Sequence, residues 1–134
     1  MNKKKVSSIL TMTLGTFFFI VGIAHTLGVS NLNELLSQQS TLAQNRQNQL
    51  LINWVFSGLA MSGFGVVIVL LATQLRKGKR MARDITAMIA VFFLLVSVSA
   101  YVIEPNPRLF LLFGFPALLL LTSMVIFRKE FTLD

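Results

Sequence analysis

A chain of 134 residues that is 54% hydrophobic and only 13% charged departs from soluble domains, in which about a quarter of residues are charged. Its twelve Lys and Arg outnumber five Asp and Glu, giving a formal charge of +7, but the cations sit at the ends of apolar runs rather than along one polar face, so topology explains them better than nucleic-acid binding does. The absence of cysteine excludes disulfide exchange, thiolate catalysis and cysteine metal ligation.

Four apolar runs, residues 6–29, 50–75, 85–103 and 109–127, are each near or above the ~20 residues a helix needs to cross the hydrocarbon layer. They predict an all-α fold: an integral membrane antiparallel four-helix bundle forming a single transmembrane domain over 1–134, with no room for a separate extramembrane domain.

The first run follows Lys3, Lys4 and Lys5 and contains Gly22-Ile23-Ala24, which together resemble a secretory signal with a small-residue cleavage site. The apolar run exceeds the roughly 7 to 15 residues of a signal core, so a retained helix is expected. Ser8, Thr11, Gly15, Phe18, Gly22 and His25 follow one another at spacings of three and four and therefore share one seam. Small residues on such a seam let a neighbouring backbone approach, which is what drives helix association in lipid; Gly15 and Gly22 are the expected packing positions, with Phe17, Phe19 and Ile20 facing lipid or looser contacts.

Residues 30–49 form the one polar stretch, rich in Asn, Gln and Ser. Asn31 with Glu34 has the spacing of an N-cap and its supporting carboxylate, and Leu32, Leu35, Leu36 and Leu42 make an apolar stripe, so a short interfacial helix is expected; a simple polar loop is the other reading. The second run opens with Asn53 and Trp54, the latter suited to the headgroup level with its N–H wet, and carries Gly58, Ser62 and Gly65 as helix-packing positions. Gly78, flanked by Arg76, Lys77, Lys79 and Arg80, predicts a tight hairpin, and Asp84 is expected in the first turn of the third run, where a carboxylate complements the positive helix end. After Tyr101 and Glu104, Asn106 and Pro107 read as N-cap and first residue of the fourth helix, in which Pro116, two residues after Gly114, predicts a kink.

Ten of the twelve basic residues, Lys3 to Lys5, Arg76 to Arg83 and Arg128 to Lys129, fall on one side of this layout, with Arg46 and Arg108 on the other. The positive-inside rule then places both termini in the cytoplasm, and a plasma membrane of the bacterial inner-membrane kind is the expected location. The cluster at residues 76–83 is expected to anchor topology next to anionic headgroups.

That topology brings His25, Asn53, Trp54, Tyr101, Glu104 and Arg108 to a common depth near the outer surface. Ionisable groups at membrane depth face the bundle interior or a watery cavity, so these six are the candidate ligand-binding residues of an outward-facing polar pocket in which His25 and Glu104 share a proton and Arg108 holds an anionic group such as a lipid headgroup or a small solute. The same residues also fit a plainer arrangement: His25 bonded to a neighbouring helix, a rim ion pair between Glu104 and Arg108, and two interface aromatics.

One histidine cannot supply both axial ligands of a b-type haem or a three-histidine zinc site, and no HExxH, GxSxG or phosphate-cradling glycine loop occurs, so no cofactor or metal is expected. A Ser-His-acid set would need Ser30 or Ser57 beside His25, and neither is marked as activated. The expected function is a non-enzymatic accessory or assembly subunit, or a homo-oligomeric binding module, recognising another membrane component. The alternative is a small proton-coupled carrier or channel using His25 and Glu104. Small four-helix drug exporters carry a carboxylate in the first span, which this chain lacks there.

Overall fold

The computed structural model describes residues 3–38, 43–103, 105 and 107–131, with Leu109 described by its backbone alone. Among these residues the fold is all-helical, with no strand: α1 (Lys3–Leu27), α2 (Val29–Ser37), α3 (Gln44–Arg76), α4 (Arg80–Ile103), α5 (Pro107–Leu109), a π-helical turn (Phe110–Gly114), α6 (Phe115–Ile126) and a 3-10 turn (Arg128–Glu130). Residues 3–37, 44–76 and 80–103 are long and apolar enough to cross a membrane, and residues 110–126 form a shorter apolar helix. That length and composition point to a transmembrane helical protein.

The polar stretch after the first run is helical over most of its described length. Gly28 keeps right-handed helical angles (φ −69°, ψ −3°), so α2 follows α1 after a single residue. Asn31 is consequently an interior residue of α2 and not its N-cap, and Leu35 is exposed while Leu32 and Leu36 turn inward; Leu42 lies outside the described residues. Likewise α3 begins at Gln44, ahead of the apolar run at Leu50.

The turn between α3 and α4 is dictated by Gly78, the one described residue with positive φ (84°). The Gly78 N–H donates to the Leu75 carbonyl (2.9 Å) and the Lys79 N–H to the Gln74 carbonyl (3.2 Å), the paired bonds of a Schellman ending, in which a left-handed residue closes the helix. Because α4 already starts at Arg80, Asp84 falls outside its first turn and pairs instead with Arg83 (2.8 Å to Nε) and Arg80 (3.8 Å).

The chain falls into two compact units. In one, which joins α1 up to Leu14 to the chain from Ile68 onward, α4 packs on the π turn and α6. Leu75, Ala82, Met124 and Phe131 form a buried cluster, with Leu71, Ala87 and Phe127 against it. Ser8 Oγ donates to the Ala72 carbonyl (2.7 Å) and ties α1 to α3. Phe93 of α4 and Phe113 of the π turn lie parallel, centroids 6.4 Å apart. The π turn sits directly before Pro116 of α6: a proline lacks an N–H and its ring crowds the carbonyl four residues back, and widening the preceding turn relieves both.

In the other unit, Gly15–Val67, α1 and α3 approach at backbone distance. A Cβ on Gly22 would lie 2.6 Å from the Gly58 carbonyl oxygen and 2.5 Å from Ser62 Oγ; one on Gly58 would meet Thr26 Oγ1; one on Gly65 would lie 2.7 Å from the Gly15 carbonyl oxygen. Only hydrogen fits at Gly22, Gly58 and Gly65. Ser62 Oγ donates to the Gly58 carbonyl (3.0 Å), so the small polar residue in this contact is satisfied within its own helix.

Large apolar side chains lie on the surface as well as in the core, and small polar ones are buried among the latter. Ser7, Ser8, Thr11, Thr86, Ser97 and Ser123 are buried, while Ile20, Phe56, Leu70, Met88, Leu95, Val102 and Ile103 are exposed. Thr11, Thr86 and Ser123 return their hydroxyl protons to carbonyls of their own helices at 2.7–2.9 Å. Small polar side chains buried beside apolar ones, with many large apolar side chains left outside, is the distribution expected where the surrounding medium is hydrocarbon.

Candidate functional site

The break between α1 and α2 creates the demand that organises the polar cluster. Helix ends leave carbonyls without regular partners, and at this one the His25 carbonyl accepts both the Gly28 N–H (3.1 Å) and Trp54 Nε1–H (2.6 Å). The Trp54 N–H is therefore held by protein and not kept wet, because the helix break supplies an acceptor within reach. Its indole also stacks on the His25 imidazole, with centroids 3.9 Å apart and planes 17° from parallel.

His25 Nε2 lies 3.0 Å from Ser57 Oγ, and Ser57 Oγ donates its proton to the Trp54 carbonyl at 2.8 Å. Ser57 Oγ thus lies within hydrogen-bond distance of both the imidazole Nε2 and the Trp54 carbonyl, and its single proton serves one of them at a time. His25, Trp54 and Ser57 make one cluster: a stacked ring pair tied at one edge by the indole N–H and at the other by a serine.

The register of the hairpin explains why these three meet. Antiparallel helices step in opposite directions, so with Gly22 opposite Gly58, moving three residues forward reaches His25 and moving four back reaches Trp54. The glycines carry the signal for this placement, and Ser57, one residue before Gly58, comes with it.

The six candidate pocket residues are distributed as follows. In the Gly15–Val67 unit, His25 and Trp54 are in contact and half-buried, and Asn53 is exposed. In the other unit, Tyr101 is exposed beside Pro107 and Phe110, the three lining an open groove of about 340 Å³, and Arg108 is exposed on α5. Glu104 lies outside the described residues, as does the N-cap assigned to Asn106.

A second concavity in the Gly15–Val67 unit measures about 390 Å³ and is lined by Val29, Leu51, Ile52, Val55, Phe56 and Leu59. Phe56 is 71% exposed and Ile52 66%, and every lining side chain is apolar. Nothing in it can donate or accept a side-chain hydrogen bond, so shape alone can select what fits. No protein family, curated protein or solved structure matches this chain.

Proposed function

We propose that the chain is a multi-pass membrane protein with both termini and the Gly78 turn on the cytoplasmic side of a plasma membrane of the bacterial inner-membrane kind, and that it serves as a non-enzymatic assembly module, an accessory subunit or homo-oligomer. The observation that carries this reading is the apolar concavity of Val29, Ile52, Val55, Phe56 and Leu59. Ile52, Phe56 and Leu59 recur at four and three residues along one face of α3, the spacing that receives the ridge of another helix. The occupant is a transmembrane helix, of a second copy or of another membrane component. Orientation follows from the cations at residues 3–5, 76–83 and 128–129.

The carrier reading needs His25 to exchange protons with Glu104. His25 Nε2 is engaged with Ser57 and the ring is stacked on Trp54, an arrangement that favours a fixed strut over a moving proton relay.

The two readings separate in two assays. Pull-down of the full chain in mild detergent should recover a stoichiometric complex, with a second copy or a fixed membrane partner, that Phe56→Ala with Leu59→Ala reduces about tenfold while the melting temperature holds, since both side chains are exposed. In liposomes the chain should move neither protons nor small cations. Flux abolished by His25→Ala or Glu104→Gln would instead establish the carrier.

A further inference from the structure

Where α1 and the end of α3 run side by side within one unit, a groove of about 530 Å³ opens between them. On α1, Lys5, Ile9 and Met12 line it at four- and three-residue spacing; on α3, Thr73 lines it with Arg76 and Lys77, three and four residues further on. Its floor is fixed, because Ser8 is buried and its hydroxyl donates to the Ala72 carbonyl (2.7 Å), pinning the two walls together. The Thr73 hydroxyl donates to the Leu70 carbonyl (2.7 Å) and is turned to its own helix. The recognition groups that remain are three cations at one end and two large apolar side chains further along, with Ile9 52% and Met12 42% exposed.

The charges are the telling feature. The described acids at this end of the chain are engaged elsewhere: Glu130 with Lys3 (3.4 Å), and Asp84 with Arg80 and Arg83. Among the described residues no carboxylate comes within ion-pair distance of Lys5, Arg76 or Lys77. Three like charges gathered on one groove repel one another, and an anion seated between them removes that cost. Basic recesses between membrane helices at the headgroup level are suited to anionic lipid heads, and the apolar wall of Ile9 and Met12 offers the continuation that only a molecule with a hydrocarbon chain can use.

We propose that this groove is a binding site for an anionic phospholipid, its phosphate held among Lys5, Arg76 and Lys77 and one acyl chain lying along Ile9 and Met12. The site rests on the reading of the chain as a membrane protein, and on no particular partner or flux.

The test uses the full chain extracted in mild detergent and given equal amounts of phosphatidylglycerol and phosphatidylcholine, with retained lipid counted by native mass spectrometry. Wild type should retain phosphatidylglycerol in preference. Lys5→Gln with Arg76→Gln and Lys77→Gln should lower that retention about tenfold or more. Lys3→Gln with Lys79→Gln and Lys129→Gln removes the same charge outside the groove and should change it less than about twofold. Ile9→Ala with Met12→Ala should weaken retention several-fold with every cation in place, and millimolar inorganic phosphate should not displace the lipid. Equal losses in the two charge triples, or no preference for phosphatidylglycerol, would overturn the site in favour of diffuse attraction. Displacement by inorganic phosphate together with an inert alanine pair would overturn the lipid in favour of a small anion. Membranes washed at alkaline pH form the separate control: a chain released by that wash removes the membrane reading itself, whereas an integral chain that fails the lipid assay removes this site alone.

Discussion

His25, Trp54 and Ser57 form a cluster in which each bond has a distinct geometric job, so conservative substitutions can separate them. Trp54→Phe keeps an aromatic ring against the imidazole and deletes the N–H bonded to the His25 carbonyl; it should lower stability by about 1 kcal/mol, a typical net value for one hydrogen bond. Trp54→Ala deletes stacking as well and should cost more, both being read as melting shifts in the same detergent. Ser97 presents the contrary case. Its buried hydroxyl has no partner among the described residues and rests 2.7 Å from where a Cβ on Gly114 would stand. Ser97→Ala removes an unsatisfied buried group and should leave the melting temperature equal or higher, whereas Gly114→Ala, which forces α4 and the π turn apart, should lower it. A marked loss in Ser97→Ala would show that the hydroxyl is bonded after all.

Among the elements, α1 was the most legible in the sequence, and its residues show why. Ser8, Thr11, Gly15, Phe18 and Gly22 are buried and His25 half-buried, while Phe17, Phe19 and Ile20 are exposed, so burial follows the three-and-four spacing of the letters. That spacing continues through Val29, Leu32 and Leu36, all turned inward, and it was the available signal that helix resumes directly after Gly28. The Asn31 and Glu34 pair hid it, because an N-cap pattern has the same appearance inside a helix that is already running. Pro116 marked a distortion, but not its kind: which turn widens depends on what packs against it, here Phe93 on Phe113, and no local pattern encodes that. Pro116→Ala should let the π turn close into regular helix. Losing one residue from that turn rotates what precedes it by about 100°, so the ring cross-peaks between Phe93 and Phe113 should vanish from a nuclear Overhauser spectrum; their persistence would mean that packing, and not the proline, holds the turn open.

For the molecule as a whole, the two strongest signals are the many large apolar side chains left on the surface, with several serines and threonines buried, and the gathering of cations at three places along the chain. Helix number and type are legible because each apolar run is long enough to fix its own conformation. The candidate pocket was far less so: a shared depth says which residues are at one level, not which face one another, and His25 finds Trp54 and Ser57 through a register set by glycines several residues away. The proposed orientation is the claim on which the membrane topology depends most, and the lack of cysteine allows a clean test. In intact cells, single substitutions Lys79→Cys and Gln47→Cys can be reacted with a membrane-impermeant maleimide. Position 47 should label at once and position 79 only after the cells are opened; labelling of position 79 in intact cells would contradict the account.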